Sequence, residues 1–245
     1  MDITVFKRYE IKFLVSEDQR RSLEEAFADM MIPDAHGESR ICSVYCDTPD
    51  RRLIRASLEK PVYKEKLRIR SYGRAGQDDN VFMELKKKYK GVVYKRRISL
   101  PQYEADAFVS EGARLSGDGQ IEREIESFRS FYGTIEPAMY ICCDRTAFFG
   151  KDDPDLRVTF DRNILWRTDR LKLTSAPGGR RLIAPDKSLM EIKCAGSVPL
   201  PLVKLLSEGG IRQTSFSKYG NAYMTVLREQ REASRGIDER SVYCA

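Results

Sequence analysis

Charged and apolar residues alternate one by one along six separate segments of this 245-residue chain. Successive side chains of a β-strand point to opposite faces, so this alternation predicts strands with one charged and one apolar face. In the segment 63–70, four basic residues share one face, opposite tyrosine, leucine and isoleucine. The other segments with this pattern are 8–13, 81–88, 94–100, 156–161 and 190–193. The chain must therefore bury the apolar face of each strand and still give the charged faces access to water.

Carboxylates recur among the basic residues of these charged faces. For any single strand, an ordinary solvated sheet surface would explain the polar face. A merely solvated face, however, needs no carboxylate among its lysines and arginines, whereas metal and phosphate chemistry needs both signs of charge. The acidic residues in this position are Glu10, Glu84, Asp161 and Glu191. Their recurrence favours a shared functional interior.

Positive charge is concentrated in one part of the chain. The whole sequence has 43 lysines and arginines, 37 aspartates and glutamates, and a formal net charge of +6. Residues 60–97 alone contain thirteen basic residues and four acidic ones. A local excess of this size is typical of a surface that meets a polyanion, a membrane or a large amount of solvent.

Several classes of protein are excluded by what the sequence lacks. No apolar run approaches the ~20 residues of a membrane span, and the first residues lack the layout of a signal peptide. We therefore expect a cytoplasmic protein with no membrane span in this chain. The six cysteines form no Cys-x-x-Cys pair and His36 is the only histidine, which argues against a zinc site and predicts reduced cysteines.

Four helical segments are predicted between the strands. Ser16 and Gln19 have the spacing of a capping box at the start of the first. The others are expected near residues 120–132, near 199–208 and after Lys218, each with an apolar stripe. We expect a single domain over residues 1–232, followed by a polar, irregular tail over 233–245.

Seven short motifs follow one another along the chain and together resemble a known family. They are RYEIKF at 8–13, SVYCDTP at 43–49, KLRIRSYG at 66–73, FMELK at 82–86, DRTAF at 144–148, MEIK at 190–193 and FSKYG at 216–220. In this order they are similar to the polyphosphate polymerase domain of the vacuolar transporter chaperone proteins. That domain is part of the CYTH-like triphosphate tunnel metalloenzyme superfamily, and the resemblance covers roughly residues 6–227.

The resemblance implies both a fold and an activity. The fold is of the α+β class: a closed antiparallel β-barrel of about eight strands, with helices packed outside and charged side chains filling the bore. The activity is the transfer of the γ-phosphoryl group of ATP to a growing polyphosphate chain, with release of ADP. The expected partners are ATP and phosphate, pyrophosphate or polyphosphate, and no nucleic acid is expected.

The resemblance also implies roles for thirteen residues. Lys12 and Lys218 correspond to the lysines at the reaction end of the tunnel, and Arg68 and Arg70 are the other residues expected to take part in catalysis. The residues expected to hold the nucleotide and the phosphate chain are Lys86, Lys95, Arg97, Arg145, Arg157 and Lys193. Glu191 is the first expected ligand of a divalent metal, Mn²⁺ or Mg²⁺, with Glu10 and Glu84 as helpers.

Two alternative functions stay open at this point. The first is a triphosphatase with the same tunnel and water as the acceptor. Triphosphatases of this type carry Glu-x-Glu-x-Lys in the first strand, and Arg8 stands where the first glutamate would be, which argues against hydrolysis. The second is a non-catalytic module that binds polyphosphate or another polyanion. Glu191 and Lys218 argue against it, because binding alone needs neither a metal ligand nor a reaction-end lysine.

Other residues near these motifs receive less specific interpretations. We expect Lys87, Lys88, Lys90 and Arg96 to be solvated. Tyr45 and Asp47 have the character of packing or loop-capping residues as much as of tunnel residues. No residue is assigned to adenine recognition. Cys143, just before the DRTAF motif, offers no aromatic ring on which the base could stack.

Overall fold

The computed structural model describes residues 9–90 and 92–242, in which one antiparallel sheet carries the fold. Its strands are β1 (Tyr9–Ser16), β2 (Met31–Pro33), β3 (Ser39–Asp47), β4 (Tyr63–Tyr72), β5 (Asn80–Tyr89), β6 (Val92–Pro101), β7 (Glu136–Gly150), β8 (Arg157–Arg167), β9 (Arg180–Arg181), β10 (Lys187–Cys194) and β11 (Gln213–Thr214). The strand order is β11-β1-β10-β8-β7-β3-β4-β5-β6, with β2 paired to β7 and β9 paired to β8. Over the described residues, each of the six alternating segments lies on a strand, with Leu156 immediately before β8.

The predicted closure of the sheet into a barrel is wrong. Within the described residues, β11 and β6 are the two ends of the strand order and do not pair with each other. The outer edge of β1 pairs with β11 at Lys12 and Phe13, and not with β6. Side chains bridge the opening instead: Lys86 Nζ on β5 donates to Glu10 Oε2 on β1 at 2.7 Å.

Within the part of the chain that the structure describes, six α-helices accompany the sheet. They are α1 (Glu17–Ala26), α2 (Arg52–Leu58), α3 (Gln102–Asp106), α4 (Gln120–Tyr132), α5 (Leu200–Glu208) and α6 (Lys218–Val242), and α3 continues into a π-helical turn, Ala107–Glu111. The four predicted helices are confirmed as α1, α4, α5 and α6. The capping box of α1 is also confirmed, because the Ser16 side chain accepts from Gln19 N and the Gln19 side chain accepts from Ser16 N.

The tail after residue 232, expected to be irregular, is helical over most of its length. Helix α6 continues to Val242, through a stretch of glutamate, arginine, alanine and glutamine residues that favour helix. Residues 243–245 lie outside the described part of the chain, as does Arg8. None of the helices in residues 9–90 and 92–242 combines the length and the apolar character that a membrane crossing requires.

Three apolar clusters fix the helices against the two faces of the sheet. The first packs α3 and α4 on the apolar faces of β4 and β5, and the second packs α1 and α5 on those of β8 and β10. The third lies on the other face of the sheet, where Tyr219 and Ala222 of α6 pack against Ile41 and Ile141. Helix α6 therefore fills one part of the space that the charged strand faces enclose.

A bulge in β8 allows this strand to contribute charged side chains at one end and apolar side chains at the other to the same face of the sheet. The register between β7 and β8 shifts between Cys142 and Asp144, where Asn163 adopts a positive φ of 45°. One extra residue reverses the phase of the side chains beyond it. Asp161 and Ile164 therefore point to the same face of the sheet, although they are three residues apart.

Asp47 joins α2 and α6 to the end of β3. Its fully buried carboxylate accepts hydrogen bonds from the backbone N–H groups of Leu53 and Ile54, at 2.9 and 3.0 Å. It also accepts from Thr48 N and from the Tyr219 hydroxyl, both at 2.8 Å. The side chain thus caps the N-terminus of α2 from outside the helix and ties it to α6. The sequence allowed Asp47 to be either a packing or capping residue or a tunnel residue, and its contacts are those of a capping residue.

Asp47→Ala should lower the free energy of unfolding by about 3 kcal/mol, because it leaves several buried donors without an acceptor. Urea denaturation measures this change. The matched control is Asp50→Ala in the same loop: the Asp50 side chain is 60% exposed and pairs with Arg55. Its loss should cost less than about 1 kcal/mol. Equal effects of the two substitutions would contradict the role given to Asp47.

Candidate functional site

The charged faces of the strands line one cavity of about 1380 Å³. All thirteen residues predicted for the site line it: Glu10, Lys12, Arg68, Arg70, Glu84, Lys86, Lys95, Arg97, Arg145, Arg157, Glu191, Lys193 and Lys218. They come from β1, β4, β5, β6, β7, β8, β10 and the start of α6. The fold thus brings together residues that are up to 208 positions apart, such as Glu10 and Lys218.

The cavity extends along the whole length of β4. Its lining includes Lys64 near one end of this strand and Tyr72 at the other, eight residues or roughly 27 Å apart. Exposed residues line it at both ends: Lys60 and Lys88 near Lys64, and Tyr72 at the far end. The cavity is therefore a passage with solvent-exposed residues at each end.

Glu84 is the centre of the first charge cluster in this passage. Its carboxylate is 1% exposed and lies 2.6 Å from Arg68 Nε, 2.6 Å from Lys95 Nζ, 2.5 Å from Arg97 Nη2 and 3.7 Å from Arg70 Nε. Burial opposes its ionisation, but Arg68, Arg70 and Lys95 outweigh burial and hold the pKa of Glu84 well below its usual range. Both carboxylate oxygens of Glu84 already face cations. The structure therefore does not bring Glu84 together with Glu10 and Glu191, the other two predicted metal ligands.

Arg70 is the cation that this cluster leaves least satisfied. Burial and the neighbouring Arg68 lower its pKa to about 10. Its Nε is buried and has no hydrogen-bond acceptor among the described residues, since Glu84 lies 3.7 Å away. A buried guanidinium in this state favours an added anion that brings acceptor oxygens.

Asp161 is the centre of a second cluster and was not among the predicted site residues. Its fully buried carboxylate accepts from Arg145 Nε at 2.5 Å and Nη2 at 2.7 Å, and from Lys218 Nζ. Burial alone would raise the pKa of Asp161, but Arg145 and Lys218 hold it well below the usual range. The pKa of Lys218 is raised in turn, because Asp161 outweighs the effect of burial. Asp161 thus fixes Lys218 as an ammonium group at the cavity wall.

Glu191 and Glu10 form the third acidic feature. Lys193 Nζ lies 3.7 Å from Glu191, beyond hydrogen-bond reach, and Glu191 accepts no hydrogen bond in the described part of the chain. Burial opposes its ionisation, yet Lys193 and Lys12 keep the pKa of Glu191 well below its usual range. Glu10 is close enough for the two carboxylates to repel each other. Glu191 is therefore an ionised carboxylate that faces Lys193 and accepts no hydrogen bond within the described residues.

Two carboxylates alone do not make a complete metal site. No group of three acidic, histidine or cysteine side chains with metal-binding geometry occurs in residues 9–90 and 92–242. A Mg²⁺ ion is commonly held by one or two carboxylates together with substrate phosphates and water. Glu191 and Glu10 fit that pattern as a partial ligand set.

Tyr45 lines the cavity and also packs in the apolar cluster beside α6. Its ring stacks on Tyr219 with centroids 5.0 Å apart, and its hydroxyl accepts from Arg68 Nη1 at 3.4 Å. Lys88, expected to be solvated, is exposed and lines the cavity as well. Lys87 and Arg96 lie on the opposite face of the sheet, where both face Glu124.

The family model of the VTC domain matches residues 7–227 of this chain. The chain belongs to the VTC domain family. The solved structures similar to this VTC domain include a candidate adenylate cyclase from Bacillus halodurans, with 15% identity and a TM-score of 0.54 over 86% of this chain and 95% of that one. At this identity the likeness concerns the fold alone.

Two further solved structures are less similar in shape. A candidate adenylate cyclase from Vibrio parahaemolyticus has 11% identity and a TM-score of 0.48, over 89% of this VTC domain and 98% of that chain. A candidate adenylyl cyclase from Hippeastrum, with a dominant triphosphatase activity, has 16% identity and a TM-score of 0.48, over 86% and 92% of the two chains. The comparison with curated proteins finds no match.

Lys66 lines the cavity of this VTC domain and was not among the predicted site residues. Its Nζ donates to Ser217 Oγ at 3.0 Å, next to Lys218. Burial, followed by repulsion from Lys12 and Lys64, lowers the pKa of Lys66 to about 7. The sequence indicated this position, because Lys66 lies on the same face of β4 as Arg68 and Arg70.

Lys66→Met should raise the free energy of unfolding, and the gain should be largest at and below about pH 7. The folded state binds the Lys66 proton more weakly than the unfolded state, so the cost of charging Lys66 is fully present below its folded pKa. That cost disappears as the pH rises towards the ordinary lysine pKa of about 10.4. Urea denaturation at about pH 6.5 and about pH 9.5 measures the difference. The control is Lys87→Met on the outer face of β5; an equal gain for Lys66→Met at both pH values would contradict the expectation.

Proposed function

We propose that this VTC domain is an ATP-dependent polyphosphate polymerase, which transfers the γ-phosphoryl group of ATP to a phosphate chain inside the cavity. The observation that carries the proposal is the pair of buried carboxylates, Glu84 and Asp161, that together hold six cations at the wall of one passage. The family resemblance supplies the reaction, and the basic, elongated shape of the cavity suits a linear polyanion.

The basic side chains would bind the phosphates and keep them in line. Phosphoryl transfer depends mainly on position and on neutralisation of charge, with little covalent chemistry for the protein to perform. Arg68, Arg70 and Arg97 offer planar forks for phosphate oxygens, held in place by Glu84. Each contact at ~4 Å provides on the order of 4 kcal/mol of Coulomb attraction at an effective dielectric constant of about 20, before desolvation is subtracted.

The remaining predicted cations would extend this phosphate path. Arg145 is fixed by Asp161, and Lys86 by Glu10. Arg157 stands 3.6 Å from Asp34 and covers the ring of Phe149 at 4.8 Å. Lys193 lies beside Glu191. Their carboxylate partners hold the cations in position before any substrate arrives, which lowers the cost of reorganisation during the reaction.

Glu191 would be the principal ligand of a divalent ion, with Glu10 as its helper. A bound Mg²⁺ or Mn²⁺ neutralises charge on the phosphate oxygens and makes the transferred phosphorus more electrophilic. Glu84, expected from the sequence to help bind the metal, does not suit that role, because its four cation partners occupy both oxygens and would repel a further cation. Glu84 instead positions the phosphate-binding arginines.

The reaction joins one oxygen of the chain end to the γ-phosphorus of ATP. As that P–O bond forms, the bond between the γ-phosphorus and the β,γ-bridging oxygen breaks, and its electron pair leaves with ADP. The attacking oxygen is already anionic, so no general base is required. Lys218, charged and held by Asp161, and Lys12, whose Nζ donates to Phe216 O at 2.9 Å, would orient the chain end and stabilise the developing charge.

Incubation of the purified protein with ATP and Mn²⁺ or Mg²⁺ tests this function. We expect a ladder of phosphate chains on a gel, internal phosphate signals in the phosphorus NMR spectrum and equimolar ADP. Omission of the metal should abolish all three. Orthophosphate without chains would identify a triphosphatase, and binding of polyphosphate without any ATP turnover would identify a binding module. Either outcome contradicts the polymerase.

Lys218→Ala should lower kcat for chain extension by about 100-fold or more, the usual effect of losing one fixed charge-stabilising group. The assay is the initial rate of ADP release with a polyphosphate primer. Lys204→Ala is the matched control, since Lys204 lies on α5, 76% exposed, and pairs only loosely with Glu208. A Lys218→Ala protein that is folded and extends chains at the full rate would remove this residue from the mechanism.

A further inference from the structure

An exposed aromatic side chain stands at one end of the cavity. Tyr72, the last residue of β4, is 57% exposed and lines the cavity. Within the described residues, it is the only exposed tyrosine or phenylalanine that does so. The binding of phosphate groups by charge gives no reason for a large ring in this place. The ring therefore points to a part of the ligand other than its phosphates.

A second aromatic ring and a guanidinium group stand beside Tyr72. Phe82 on β5 also lines the cavity, and its ring lies edge to face with that of Tyr72, with centroids 6.0 Å apart. The Arg97 guanidinium lies over the Phe82 ring, 4.3 Å from its centroid. Edge-to-face pairs are a favoured geometry, so Phe82 helps to fix the Tyr72 ring while more than half of Tyr72 stays accessible. We call Tyr72 and Phe82 the aromatic platform.

The register of the sheet places the aromatic platform beside the first charge cluster. Tyr72 lies two residues beyond Arg70 on the same face of β4, about 7 Å along the strand. Phe82 stands directly opposite Arg70 on β5. Arg97, which covers Phe82, also pairs with Glu84. A ligand whose phosphate is held by Arg70 therefore has its neighbouring group at the platform.

The order of residues along β4 indicates which end of a nucleotide faces the platform. Lys66 Nζ donates to Ser217 Oγ, next to Lys218, so the reaction end of the cavity lies on the Lys66 side of Arg70. Tyr72 lies on the other side of Arg70. A nucleotide whose γ-phosphate is near Lys218 therefore extends its ribose and base towards Tyr72.

We propose that the aromatic platform is the base subsite of this VTC domain, where the adenine ring of ATP stacks on Tyr72. The choice of a nucleotide as the ligand rests on the proposed function. Stacking on an aromatic side chain is favourable for any base, because every base has a π-face. The nucleoside is thus bound by an aromatic contact and the phosphates are bound by charge, so the two contributions can be measured separately.

Calorimetric titration with ATP and with tripolyphosphate, which has no base, separates these contributions. The full chain is used at about 0.1 M salt, with a chelator in place of metal so that no phosphoryl transfer occurs. For Tyr72→Ala we expect the affinity for ATP to fall by about fivefold or more, and the affinity for tripolyphosphate to stay within about twofold of wild type. An inactive polymerase would not alter this result, since its failure appears only as missing chains in the assay with metal.

Three further variants make the result specific. Tyr72→Phe keeps the ring and should keep the affinity for ATP within about twofold of wild type. Tyr72→Thr removes the ring but introduces a residue that favours strands, so it should repeat the loss seen in Tyr72→Ala. Tyr89→Ala is the matched control: Tyr89 is 46% exposed and lies edge to face with Tyr63, but it does not line the cavity. Its loss should leave both affinities unchanged.

Thermal melting verifies that each variant is folded. The deciding quantity is the ratio of ATP affinity to tripolyphosphate affinity. An unchanged ratio in Tyr72→Ala and Tyr72→Thr, or an equal fall of the ratio in Tyr89→Ala, would overturn the base subsite.

Discussion

The burial of two carboxylates among arginines and lysines is the constraint on which the rest of the site depends. A passage lined by so many cations repels itself, and the strands that carry them would separate without internal counter-ions. Glu84 and Asp161 supply those counter-ions from within the wall, at 1% and 0% exposure. Removing one member of a buried ion pair commonly costs about 3–5 kcal/mol, because the other charge is left uncompensated. A buried cluster of this kind contributes little net stability, and its main effect is to fix the positions of the charged groups.

The chain around residues 213–218 connects the open sheet to this charge arrangement. β11 occupies the edge of β1, and the residues that follow it receive hydrogen bonds from Lys12 and Lys66 before α6 begins at Lys218. Two basic side chains from different strands therefore hold the segment that brings Lys218 to Asp161. The sheet stays open in its hydrogen bonding, yet the space it encloses is closed on this side by side chains and by α6.

Local patterns in the sequence were sufficient to predict six of the strands, the common face of the site residues and four helices. Helix α2 was missed because its cap is the side chain of Asp47, on the preceding strand, and because Arg51 before it adopts a positive φ of 61°. The open edge was missed because β11 has only two residues. The phase of Asp161 was visible in the sequence, but its partners Arg145 and Lys218 are brought to it only by tertiary structure.

The bulge at Asn163 has a consequence for how this protein can vary. On one side of it β8 contributes Asp161 to the charged wall, and on the other it contributes Ile164 and Trp166 to the apolar packing around α6. Deleting the extra residue would turn the apolar side chains outwards and carry polar ones into the helix interface. Homologous chains should therefore tolerate changes of length in the connections around β8, but not within it. The distance between the Asp161 carboxylate and the apolar residues that pack on α6 is set inside this single strand.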